Sequence, residues 1–116
     1  MVVAPKPDQE RRRHLRQYAQ GELSPNQSFY FRGPDSKLNL RAQNLEMFMH
    51  MADGVDDNTW LFHLRRGDYS NWFKNLIKDA DLAQETAGVE ANRELSAADS
   101  RARIRKAIEQ RYTAPS

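Results

Sequence analysis

Residues Leu38 to Ala83 read LNLRAQNLEMFMHMADGVDDNTWLFHLRRGDYSNWFKNLIKDADLA, and this run decides the fold. Ala42, Leu45, Phe48, Met49 and Ala52 recur at helical spacing from Asn39 onward, and Gly54 suits the left-handed residue past a helix end. Asp56 is an N-cap candidate, with Val55 before it and Trp60 as the fourth helical residue, the spacing of a hydrophobic staple. That second helix offers Trp60, Leu61 and Leu64 and stops at Gly67. Asp68 then caps a third helix bearing Tyr69, Trp72, Phe73, Leu76 and Ile77, and Asp79 or Asp81 opens a fourth with Leu82, Ala83, Thr86 and Ala87.

Outward toward the C-terminus, Ser96-Ala97-Ala98-Asp99 has the form of a capping box. It opens a last helix with Ile104, Ala107, Ile108 and Tyr112 inside and Arg101, Arg103, Arg105 and Lys106 outside. Outward toward the N-terminus, Phe29-Tyr30-Phe31-Arg32 favours strand, Gly33-Pro34-Asp35-Ser36 supplies a turn, and Lys37-Leu38-Asn39-Leu40 can return as partner. An extended segment tucked against the helices is the competing reading. Residues 1–28 form an arm, with a short helix from Asp8 to Gly21 and an Arg11-Arg12-Arg13 cluster on a solvated face. The expected architecture is mainly α, a bundle of four to five short helices at 29–113 with a β-hairpin near 29–40 and a tail at 114–116. Such short helices are unstable alone, so Phe48, Trp60, Trp72 and Phe73 must dominate a shared core.

The 116 residues suffice for one core. The absence of cysteine excludes disulfides, thiolate zinc sites and cysteine nucleophiles, and suits a cytoplasmic protein. The apolar start is too short for a signal peptide or a membrane span, so Asn26-Gln27-Ser28 is a chance sequon. Net charge is +2, divided as +2 over residues 1–24, −4 over 25–99 and +4 over 100–116. Nucleic-acid binders place aromatics between positive charges, whereas here the aromatics lie in the acidic body; nucleic acid is disfavoured.

No residue set has the spacing of a catalytic or metal site, and no cofactor is implied. His63 with Asp68 five residues later could form an acid–base pair, or could tie one helix end to the next; the second reading is preferred. His50 and His63 lack further ligands, and Met47, Met49 and Met51 read as soft packing. Asp53, Asp56 and Asp57 lack the alternation of a calcium loop. Tyr69, Ser70 and Ser100 sit in no nucleophile elbow. Arg32, Arg41, Arg65 and Arg66 flank the aromatic core, where guanidinium forks can hold carboxylate or phosphate; scattered surface charge is the preferred reading of the four. Aromatic density also exceeds what so small a core readily hides. The binding surface expected on these grounds is Phe29, Tyr30, Phe31, Arg32, Arg41, Trp60, His63, Arg66, Asp68 and Trp72.

The strings Phe31-Arg32-Gly33-Pro34, Leu38 to Leu45, Gly54-Val55-Asp56-Asp57 with Trp60, His63-Leu64, Gly67-Asp68-Tyr69-Ser70 with Trp72, and Ile77-Lys78-Asp79 with Leu82-Ala83 form an ordered set. It resembles a helical module that follows the catalytic domain in haloacid-dehalogenase-type sugar or phosphoglycolate phosphatases. Ala107-Ile108-Glu109 and Arg111-Tyr112-Thr113 continue the resemblance, which runs from about Phe29 to Pro115. It implies an accessory helical module partnering a phosphatase domain. It carries no catalytic residue across, because the family's nucleophilic aspartates lie on a Rossmann-like sheet for which this chain has no strand–helix alternation. Asp79-Ala80-Asp81 follows a helical stretch rather than a buried strand, so it is not that family's DxD. The function expected is therefore non-catalytic: binding a phosphatase domain or a small anionic metabolite. The alternatives are a small hydrolase using His63 and Asp68, or a regulatory adaptor using the basic ends; self-association is compatible with each.

Overall fold

A computed structural model of the chain describes residues 16–112. Within them a single π turn, Arg16–Gln20, precedes strands β1 (Phe29–Phe31) and β2 (Leu40–Ala42). Five α-helices follow: α1 (Leu45–Gly54), α2 (Asp57–Arg66), α3 (Asp68–Trp72, continued by a π turn over Phe73–Ile77), α4 (Ala80–Ala91) and α5 (Ala97–Tyr112). The domain is a small, mainly α bundle carrying a two-stranded antiparallel sheet. The arm's expected helix lies mostly outside the described residues, as do the Arg11–Arg13 cluster and the tail. The described part of the arm packs: Tyr18, Ala19 and Leu23 are buried, and Leu23 N–H donates to the Gln43 carbonyl at 2.9 Å.

The hairpin pairs Phe29 with Ala42, Tyr30 with Arg41 and Phe31 with Leu40. Strand alternation sends Phe29 and Phe31 into the core and leaves Tyr30 half-buried. The return strand begins three residues later than expected, at Leu40, and Ala42 belongs to it rather than to α1. The reason is local: the Asn44 side chain accepts the Met47 N–H at 2.8 Å, which sets the helix start at Leu45. Gly54 likewise departs from expectation. It remains inside α1 without a positive φ, and Val55, in extended backbone, ends the helix.

Three of the expected caps hold α2, α4 and α5. Asp56 accepts from Thr59 N–H at 3.2 Å, Asp79 from Leu82 N–H at 3.0 Å, and Ser96 from Asp99 N–H at 3.0 Å. Asp56 also receives the Thr59 hydroxyl at 2.6 Å and Lys37 Nζ at 3.1 Å. These bonds, the hydroxyl's foremost, lower its carboxyl from the ordinary 3.8 to about 2. A depressed folded-state value stabilises the fold above the unfolded value, and that contribution disappears as pH falls through the folded one. We expect the melting temperature to drop as pH falls from 3.8 toward about 2, with Asp56→Asn flattening that part of the profile. Thermal melts in that range, comparing the two proteins, provide the check.

The core is aromatic. Phe48 sits 5.4 Å from both Phe31 and Trp72, 5.5 Å from Phe29 and Tyr69, and 5.6 Å from Phe73, ring centre to ring centre. Trp60 stacks on Tyr69 at 4.4 Å and donates its indole N–H to Ser100 at 2.8 Å. Arg101, expected outside, is largely enclosed instead, with its side chain 15% exposed. Its guanidinium donates to the Ala52 and Val55 carbonyls at the end of α1 and pairs with Asp57. Those carbonyls have no partner further along the helix, so Arg101 cements α5 onto α1 and α2 by satisfying them.

Candidate functional site

A cleft of about 570 Å³ lies between β1 with its following turn and the α2–α3 corner. The corner is built by Gly67, which adopts the left-handed conformation (φ 74) and donates its N–H to the last turn of α2. This turns the chain sharply, so His63 near the end of α2 and Asp68 at the start of α3 face each other. His63 Nδ1 lies 2.8 Å from Asp68 Oδ2. On its other side, His63 Nε2 accepts the backbone N–H groups of Arg32, at 3.1 Å, and Gly33, at 3.2 Å. Two donors at Nε2 assign the ring proton to Nδ1, which donates it to Asp68. The imidazole, 5% exposed, thus joins three elements, and neither nitrogen faces an open position.

Gly33 can make this contact only as glycine. Its backbone (φ 73, ψ −176) lies where side chains are strongly disfavoured, and an added Cβ would sit 2.8 Å from Thr59 Oγ1. That hydroxyl is already committed to Asp56. Gly33→Ala is expected to cost about 1–3 kcal/mol or more, read as a reduced urea midpoint with an unchanged slope.

Two guanidinium groups occupy the rim. Arg32 lies over the Tyr30 ring at 4.9 Å, and Arg66 over Phe62 at 5.0 Å. Tyr30 is itself anchored through its hydroxyl to the Pro25 carbonyl at 2.9 Å. Arg66 Nε also approaches Asp68 at 3.4 Å, while Arg32 has no carboxylate partner among the described residues. Phe29 and Trp72 contribute to the wall, the latter fixed by its indole N–H to the Gln27 carbonyl at 2.8 Å.

Of the residues singled out from sequence, the cleft gathers Phe29, Tyr30, Arg32, His63, Arg66, Asp68 and Trp72. Phe31 and Trp60 lie in the core, 0% and 1% exposed. Arg41 turns away to the Leu23 carbonyl and Ser28 hydroxyl, holding the N-terminal segment. The expected surplus of aromatic surface does not occur: Leu40 is the one exposed large apolar residue among the described ones. Asp68 does not cap α3 with its side chain. Glu90 of α4 does so instead, accepting Ser70 N–H at 3.1 Å and the Ser70 hydroxyl at 2.5 Å. Burial pushes the Glu90 carboxyl up, against the pull of those bonds.

Searches against family models, curated proteins and solved structures find no match to the chain. The site must therefore speak through its geometry. Asp35, Ser36, Phe62, Asn71 and Leu76 also line the cleft, though nothing in their spacing marks them; only the Gly33-Pro34-Asp35-Ser36 turn signal hinted that the chain would fold back here. Among the described residues no three histidine, aspartate or glutamate side chains gather as a metal ion would require. Nor is any described helix long and apolar enough to cross a membrane.

Proposed function

We propose that this domain is a non-catalytic binding module whose cleft takes the anionic group of a small metabolite on Arg32 and Arg66. The observation that carries the reading is the state of the cleft's polar groups. His63, the cleft's one imidazole, spends its Nε2 lone pair on two backbone N–H groups and its Nδ1 proton on Asp68. The two guanidinium groups are held over aromatic faces with their hydrogen-bonding edges uncommitted or nearly so. Stacking fixes a guanidinium without consuming its donors, which leaves the fork for a carboxylate or phosphate oxygen. The volume falls within the range that holds small molecules.

The resemblance of residues 29–115 to a phosphatase-associated module supports a second reading, in which a phosphatase domain on another chain covers the same face. Chemical-shift mapping with phosphate and with acetate tests the primary reading. Shifts should centre on Arg32, Gly33 and Arg66 and vanish in the double variant Arg32→Ala, Arg66→Ala, whose melting temperature stays within about 2 °C of the parent, as for exposed side chains. Shifts centred elsewhere, or none at millimolar anion, contradict it.

A further inference from the structure

The charges in the cleft divide unevenly between those already used and those left over. Asp68 is occupied by His63 at 2.8 Å and by Arg66 at 3.4 Å. Asp35 is different. It lines the same cleft, is exposed, and has no hydrogen bond or ion pair with any described residue. Arg32, three residues earlier, is likewise without a carboxylate, yet the two do not pair with each other. Gly33 (φ 73), Asp35 (φ 58) and Ser36 (φ 52) all lie in the left-handed half of conformational space, while the Arg32 carbonyl accepts Leu38 N–H and the Arg32 N–H is bound to His63. The turn is pinned at both ends, and its two opposite charges line one cleft without pairing. Phe29, Phe62, Trp72 and Leu76 line the same cleft.

We infer that the cleft's ligand is a small zwitterion, a carboxylate and an ammonium carried on one apolar frame, as in an aromatic or branched α-amino acid. The carboxylate is received by Arg32, with Arg66 beside it, the ammonium by Asp35, and the apolar part by the Phe29–Trp72 wall. This rests on the binding reading above and narrows it: a purely anionic ligand would leave Asp35 facing added negative charge, whereas a zwitterion satisfies both leftover groups. Charge-assisted hydrogen bonds are the strong ones, and a ligand that lacks either partner forfeits one of them.

Three probes of matched frame separate the possibilities: phenylalanine, phenylpropionate (no ammonium) and phenethylamine (no carboxylate), titrated calorimetrically into the full chain. Phenylalanine should bind at least about tenfold more tightly than either single-charge analogue. Asp35→Asn should erase that advantage, weakening phenylalanine while phenylpropionate binds as well as before or better, because its negative charge no longer faces a carboxylate. Asparagine tolerates the left-handed backbone well, so this variant keeps the turn. Arg32→Gln should weaken phenylalanine and phenylpropionate alike. If phenylpropionate or phosphate binds as tightly as phenylalanine, the zwitterion assignment is overturned while the binding reading survives. If phenylalanine binds but Asp35→Asn leaves its affinity unchanged, the assignment also falls. If no probe and no simple anion binds, both fall together.

Discussion

Replacing Trp60 by alanine is expected to remove about 3–5 kcal/mol of stability, the usual cost of truncating a fully buried indole. For a domain of this size the loss is comparable to the whole folding free energy. The side chain is 1% exposed, stacked on Tyr69 and capped by the Arg101 guanidinium 5.5 Å from its ring. Its indole N–H is the partner of Ser100, which is wholly buried on α5. Truncation therefore opens a cavity where α2, α3 and α5 meet, and it strips the acceptor role from a buried hydroxyl. Trp60→Phe keeps much of the volume and loses the hydrogen bond, so it should cost about 1–2 kcal/mol. Urea unfolding followed by circular dichroism measures both; a loss below about 1 kcal/mol for Trp60→Ala would show that the three helices are held by other contacts.

The second large effect is at His63. Removing the imidazole leaves the Arg32 and Gly33 N–H groups without their acceptor and Asp68 without its donor. Each buried donor left unsatisfied costs about 1–3 kcal/mol, so His63→Ala should lose on the order of 3 kcal/mol or more. His63→Gln retains an acceptor oxygen within reach and should recover part of the loss. A hydrolase centred on His63 and Asp68 predicts the reverse pattern: a turnover abolished by His63→Ala with the melting temperature unmoved. The two accounts differ in which observable the same variant changes.

Much of the helical frame was legible because caps act within a few residues. Asp56, Asp79 and Ser96 each bond an N–H three positions on, and such spacing survives whatever the rest of the chain does. Gly67 was legible for the same reason, since a glycine between two apolar periodicities marks a corner. Apart from the local shifts at Ala42 and Gly54, the failures lie where a partner is remote in sequence. Asp68 had the form of a cap, but His63 claims it and Glu90 does the capping from twenty residues away. Arg101 looked like one more surface arginine until the end of α1 came within its reach. The same divide runs through the cleft. The spacing of His63 and Asp68 alone marks them as a pair. The two N–H groups that occupy the other ring nitrogen come from a turn about thirty residues earlier, and they alter the chemistry the pair can perform.

The account rests on His63 being a neutral crosspiece with its proton on Nδ1, and the nitrogen NMR spectrum of its ring tests this most directly. Long-range nitrogen–proton correlation at neutral pH should show a protonated Nδ1 and an Nε2 of acceptor type, a tautomer retained when phosphate or acetate is added. A ring protonated on Nε2, or one whose Nε2 gains a proton as a ligand binds, would contradict it and make His63 a group that could handle a proton.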